Sequence, residues 1–306
     1  MNSSESGSWS IDQPDQLGFD GPVRTLKLGV AQGRINVIGT DGPPTLEVTR
    51  ITGPALTVEL DDGDLRITHG QEGKPNILGW LFSGRRQEVD LSLALPPDAL
   101  VDLNVVSGAV VVSNFHERVA VRGVSGDITL AGVHGSAKVN TVSGAITAEQ
   151  VTGDIKVNAI SGAITVIAGA GGRIDLSTVS GPLTLDLENP LPSDISLQCV
   201  SGALTIRLPH EPDVKVELST ANGRVATSFP DLTERGWHNT RQLTGQIGTG
   251  EAKLRGSTVS GAVTLLRRSA EDDYADDFED DIPTEVQDRR PAGDRPADDQ
   301  NGEETR

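Results

Sequence analysis

The tripeptide Val/Ile-Ser-Gly occurs seven times in this chain, with its serine at 107, 125, 143, 161, 180, 201 and 260. The intervals are 18, 18, 18, 19, 21 and 59 residues, and a degenerate copy, Ala221-Asn222-Gly223, divides the last into 21 and 38. Asn replaces Ser before Gly without changing the turn chemistry, because both side chains hydrogen-bond their own backbone. A period this regular means that each unit is one small element that must bury its apolar face against its neighbours.

Aligned on that serine, the residues alternate in polarity. Four residues before it stand Leu103, Val121, Val139, Val157, Leu176, Leu197 and Leu218, and three after it Val110, Ile128, Ile146, Ile164, Leu183, Leu204 and Val263. Between these apolar columns lie polar ones: Asn104, Arg122, Asn140, Asn158, Ser177 and Gln198 before the serine, and Thr129, Thr147, Thr165, Thr184, Thr205 and Thr264 after it. Alternation with period two is a strand with one buried face. The Ser-Gly pairs (Ser107-Gly108, Ser125-Gly126, Ser143-Gly144, Ser161-Gly162, Ser180-Gly181, Ser201-Gly202 and Ser260-Gly261) then form a ladder of turns, with glycine where a positive φ is wanted.

Two architectures accommodate such units: a solenoid with one coil per unit, or an antiparallel meander with one hairpin per unit. Fixed spacing and like-over-like columns favour the solenoid, since stacking puts identical residues one coil apart. A sandwich also draws on aromatic core residues, and only 3% of this chain is aromatic. The expected fold class is therefore all-β, a single-stranded β-helix or β-solenoid with coils of about 18 residues. Alternation around Gly33 and Gly63, and again over 89–95, extends it towards the N-terminus. The expected organisation is a disordered segment over 1–21, degenerate coils over 22–99, regular coils over 100–268 and an acidic disordered tail over 269–306. Ten to thirteen coils at roughly 4.8 Å each make a rod on the order of 50–60 Å long.

Charge is distributed unevenly. The chain carries −18, and residues 270–306 hold 15 acidic and 4 basic side chains, so −11 belongs to the tail and −7 to the rest. High charge with few apolar residues does not offset the entropy of folding, which is why the tail is expected to be disordered. Tyr274 and Phe278 lie inside its acidic run and are candidate anchors for a docking peptide. An acidic chain lacks the basic surface that phosphate contacts need, so nucleic acid is not an expected partner.

Candidate chemistry is sparse. One cysteine, Cys199, leaves no intrachain disulfide and no cysteine-based metal site, and its column of small residues predicts a buried, inert thiol. The five histidines are scattered relative to the serines, the glycines are not followed by the Lys-Ser/Thr of a phosphate loop, and no cofactor or metal is expected. The Asp61, Asp62 and Asp64 cluster reads as a turn. A carbohydrate-active β-helix enzyme, which gathers charged residues in one groove, is the remote alternative. The densest apolar cluster, Ile77, Leu78, Trp80, Leu81 and Phe82 beside Arg85 and Arg86, is a candidate docking patch for a protein or an anionic membrane surface.

The runs VSGDITL, TVSGAITAEQVTGDIKV and LTGQIGTGEAKLRGSTVSGAVTLLRR resemble the bacterial putative-adhesin family of β-strand repeats, a domain of unknown function. The resemblance covers residues 22–268. It implies a β-helix-like fold without established catalysis and, in some relatives, a link to envelope stress. The expected function is a non-enzymatic scaffold or protein-interaction module, with another protein as partner. The alternative is an envelope-associated adhesin or stress modulator that touches membrane through the 77–86 loop. The N-terminus has no basic start followed by an apolar run, so a cytoplasmic chain is expected, with peripheral envelope association as the variant.

Overall fold

A computed structural model describes residues 6–69, 87–167, 172–188 and 193–269. The 77–86 patch and the tail anchors Tyr274 and Phe278 lie outside the described residues. Within them, every regular element is a strand.

The middle of the molecule is a flattened solenoid. Strand β8 (Leu100–Phe115) bends through its Ser-Gly corner unbroken. Each later coil has one strand before the corner and one after it: β9 (Val119–Ser125) and β10 (Ile128–Val133), β11 (Ala137–Ser143) and β12 (Ile146–Glu149), β13 (Ile155–Ser161) and β14 (Ile164–Ile167), β15 (Arg173–Ser180) and β16 (Leu183–Asp186), β17 (Asp194–Ser201) and β18 (Leu204–Leu208). Successive coils pair in parallel, with identical columns in register: Ile128, Ile146, Ile164, Leu183 and Leu204 neighbour one another in turn. The strands before the corner form one parallel sheet and those after it another. The inward residues of both fill the space between them.

That space is narrow, which explains the composition. Leu103, Val121, Val139, Leu176, Ile164, Leu183 and Leu204 are at most 1% exposed. Burying such a side chain stabilises by about 1.5–3 kcal/mol, and aliphatics fit between short strands where rings would not. The buried aromatics, Phe19, Phe115 and Phe229, occupy ends and turns.

Glycine at the corner is required by packing as well as by dihedral. A Cβ on Gly126, Gly144, Gly162, Gly181, Gly202 or Gly261 would fall on the carbonyl oxygen of the corner glycine in the adjoining coil. Gly126, Gly144, Gly162 and Gly181 also hold φ between 115° and 140°. The stack continues through Gly108 onto Gly33 at one end and from Gly261 to Gly223 at the other.

The two ends depart from a simple winding. Strand β3 (Thr25–Gly39) pairs in parallel with β8 on one side. On its other side it pairs with β6 (Asp64–His69) and β7 (Glu88–Leu95). The first coil of the chain therefore lies inside the second. The C-terminal end mirrors this. Strands β23 (Ala252–Ser260) and β24 (Val263–Arg267) insert between β17–β18 and the coil of β19 (Val214–Asn222) and β20 (Val225–Thr227). The last coil in sequence is thus the penultimate coil in space, whereas the spacing pattern suggests coils stacked in chain order.

Antiparallel strands close both ends. Strand β5 (Leu56–Asp61) returns along β6 through a turn in which Asp62 and Gly63 both have positive φ, and β4 (Thr45–Thr52) pairs with β7. At the other end β22 (Thr240–Ile247) pairs with β19, and β21 (Thr233–Trp237) with β22. Part of the 22–99 segment is thus hairpin cap instead of degenerate coil. The expectation of disorder over 1–21 is also corrected: β1 (Gly7–Ile11) adds to β5 and β2 (Asp15–Gly18) to β4. Trp9 packs edge-on against Phe19 with centroids 5.7 Å apart. Short antiparallel strands bearing charge or proline nearby blunt the open edges that parallel coils would otherwise present.

His69, at the end of β6, is 6% exposed, and its Nε2–H donates to the Pro54 carbonyl at 3.0 Å. Burial lowers its pKa, against the opposing pull of that hydrogen bond. Below about pH 6.5 the unfolded chain takes up this proton before the folded one does, so stability falls as pH drops through that region. Thermal melts between pH 8 and 5 are expected to show this decline, and His69→Asn to flatten it. Parallel profiles for the two proteins would contradict the assignment.

Candidate interaction surface

The alternation that buries Leu176 and Thr178 turns Val179 outward, because successive side chains of a strand point to opposite faces. The same holds in every regular coil. The Val or Ile that opens each Val/Ile-Ser-Gly unit lies on the outside: Val124 is 43% exposed, Val142 43%, Ile160 54%, Val179 49%, Val200 48% and Val259 50%. The parallel registers stack these residues one above the next along the corner edge, in the spatial order β9, β11, β13, β15, β17, β23.

The residues beside this ridge carry no charge over five consecutive coils. On one side run Asn140, Asn158, Ser177, Gln198 and Ser257, with Asn158 donating to Asn140 at 2.9 Å. On the other run the corner serines and then Ala145, Ala163, Pro182, Ala203 and Ala262. Charge returns only at the two ends of the band, with Arg122 and Asp127 on the β9–β10 coil and Arg224 beyond β19. An uncharged apolar strip in a chain of net charge −18 has the character of an interface core, where charged residues are depleted.

Away from the band the described surface carries exposed ion pairs. Lys156 meets Asp175 at 2.6 Å, Arg122 meets Asp102 at 2.6 Å, and Arg255 meets Asp194 at 3.1 Å. Such exposed pairs contribute about 0–1 kcal/mol each. A more enclosed cluster joins Asp186 to Arg207 and Arg268, with Arg268 also 2.8 Å from Glu188. The threonine column forms an unbroken ladder, Thr129, Thr147, Thr165, Thr184, Thr205 and Thr264, on the opposite sheet. These residues are half-buried.

The Ser-Gly ladder predicted from the sequence is brought together as one column, with Ser143, Ser161, Ser180, Ser201 and Ser260 paired in turn. Ser143 donates to the Val124 carbonyl at 3.3 Å, so this hydroxyl braces the turn. His116 and His134 sit at the opposite corner of the coils, their rings 5.4 Å apart, with His116 against Asp98 and His134 against Thr152. Cys199 is 5% exposed, and burial pushes its thiol pKa up. An open cleft of about 650 Å³ near β6 is lined by Arg24, Asp61, Asp62, Asp64, Asp98 and Glu117. Three of its five carboxylates are engaged: Asp62 with Arg24, Asp64 with Lys27, and Asp98 with His116. Among the described residues no three His, Cys, Asp or Glu side chains converge as metal ligands.

The sequence pattern assigns the Ser-Gly pairs to the turn and gives the Val or Ile before them no role, so the valine ridge is a finding of the structure. The signal was present: a conspicuous apolar residue at the outward phase of the alternation, repeated in each copy.

With the coil geometry established, residues 55–266 match the Toastrack family model, DUF4097. The chain belongs to the Toastrack family. The resemblance noted in its repeats is thereby shown, and the β-solenoid expected from the columns is the fold observed. The chain is similar to several solved structures. A Parabacteroides distasonis protein named for lipid binding is 15% identical, with 88% of this chain and 98% of that one covered and a TM-score of 0.44. A Bacteroides fragilis protein named as an adhesin is 14% identical, with 87% and 98% covered and a TM-score of 0.40. A Clostridium sporogenes protein named for cell adhesion is 12% identical, with 87% and 100% covered and a TM-score of 0.24. No curated protein matches the chain. Among the described residues no helix is long and apolar enough to cross a membrane.

Proposed function

We propose that this Toastrack chain is a non-enzymatic β-solenoid scaffold that acts by protein–protein contact through its uncharged valine band. The observation that carries the reading is the row of half-exposed Val and Ile side chains, Val142 to Val259, flanked on both sides by neutral residues. Contiguous apolar surface of this kind on a soluble fold marks an interaction site. The absence of catalysis is part of the proposal. It is supported by serines that serve as turn residues, and by two histidines, His116 and His134, placed on the opposite edge of the coils.

The test is affinity capture with the full chain and with Ile160→Asp, which introduces a charge inside the band, one coil from its centre. Proteins that recognise the band are expected to be depleted at least tenfold from the variant. An identical capture profile would remove the band as the contact surface. Envelope association through the 77–86 patch is the second reading, supported by that segment's sequence. Co-sedimentation with anionic vesicles, comparing the full chain with Trp80→Ser, separates it from the first.

A further inference from the structure

We infer that the partner that fits the valine band is a second copy of this chain, related by a two-fold axis that runs the two rods antiparallel. The inference rests on the band being the contact surface and names what covers it. Three features of the band lead there.

The first is period. The ridge rises one residue per coil, at roughly 4.8 Å. A partner that meets every rung needs the same repeat, and a second copy has it by construction. The second is area. Seven coils, from β9 to β19, and a width of about five residues give roughly 600 Å² per copy, so a pair clears the roughly 1,000 Å² expected of a biological interface. The third is charge. Two chains of −18 repel each other, and the coils from β11 to β23 offer a face where no like charges meet.

Charge at the ends of the band sets the direction. The seven coils in spatial order are those of β9, β11, β13, β15, β17, β23 and β19, with β15 at the centre. An axis through the β15 coil, across the rods, places β9 of one copy over β19 of the other. Asp127 and Arg224 occupy the same column, two residues past the corner Ser125 and Asn222. The antiparallel arrangement therefore sets Asp127 against Arg224 of the second copy at both ends. A parallel pair would instead direct Asp127 to Arg122, which is already held by Asp102 at 2.6 Å. Ile160 would face Val200, Val142 would face Val259, and Val179 would face itself across the axis.

Sedimentation velocity and engineered cysteines test this. The full chain at about 100 μM, far above the roughly micromolar Kd of a weak specific interface, is expected to sediment as a dimer. The dimer fraction is expected to rise with salt, which screens the repulsion between the two acidic chains. Ile160→Asp and Val200→Asp are expected to shift it to monomer with unchanged circular dichroism, since both positions are half exposed. In a Cys199→Ala background, Val179→Cys is expected to form an interchain disulfide under mild oxidation, and Val142→Cys none. A monomer at all salt concentrations overturns the inference, as does crosslinking at Val142→Cys equal to that at Val179→Cys. A monomeric chain that still loses captured proteins on Ile160→Asp would leave the scaffold reading standing and remove only the second copy.

Discussion

A chain ending at Glu251 is expected to melt more than about 10 °C below one ending at Ser269, and to lose protection throughout β19–β22. In a solenoid wound in chain order, removing the last coil exposes one new coil face. Here the last coil, β23–β24, is flanked by parallel partners on both sides. Its loss unpairs the edges of β17, β18, β19 and β20 together. It also removes the buried side chains of Ala252, Leu254, Val263 and Leu265 from the core. At about 1.5–3 kcal/mol for each large aliphatic, this approaches the roughly 5–15 kcal/mol that stabilises a typical domain. The terminal coil of β19 and β20, cut off from the rod, retains only its antiparallel partner β22. Thermal melting and limited proteolysis measure the effect. A shift under about 3 °C with residues 214–247 still protected would contradict the intercalated order.

Gly162→Ala is the second large effect, with an expected loss of about 3–5 kcal/mol in chemical denaturation. Two causes add. The φ of Gly162 is 140°, a region L-residues rarely enter, and the new Cβ lands on the Gly144 carbonyl. That carbonyl has little freedom to retreat, because the corner backbone is pinned between coils. The peptide that carries it is held through Ala145 N–H, which donates to Asp127 Oδ1 at 2.8 Å, and Gly162 itself is held by its N–H, which donates to the Ser180 carbonyl at 2.9 Å. Gly29→Ala serves as the control. Gly29 lies in β3, has no atom within 4 Å of its would-be Cβ and carries no positive φ. There the substitution is expected to be neutral or to stabilise by up to about 1 kcal/mol, since glycine weakens a strand. Equal costs at both positions would show that the corner stack is looser than described.

The regular coils were legible because one physical rule wrote them many times. Leu176 and Leu183 point inward and Ser177 and Thr184 outward by strand alternation alone. Eighteen-residue spacing forces Ile146 over Ile128 once coils stack. Residues 7–18 were misread as disordered because SWSIDQPDQLG is short, polar and interrupted by proline. Its strands exist only because β5 and β4 offer them edges. The band was partly legible, since Val179 and its equivalents carry the outward phase. Its neutrality emerges only when columns 18 to 59 residues apart are set side by side.

The repeat by itself determined the coil: two strands, an aliphatic core, and a corner where only glycine fits. Coil order was a different matter. Strand β23 offers Ser257, Thr258 and Val259 to its neighbours, and β17 and β19 present nearly the same columns, Gln198, Cys199 and Val200 on one and Ser219, Thr220 and Ala221 on the other. Local pairing chemistry is therefore almost indifferent to which coil lies next to which. Only the tertiary structure decided that the first and last coils tuck inside their neighbours. The hairpins β5–β6 and β21–β22 cap the outermost coils with antiparallel strands, and those coils must lie at the ends for the rod's exposed edges to be covered.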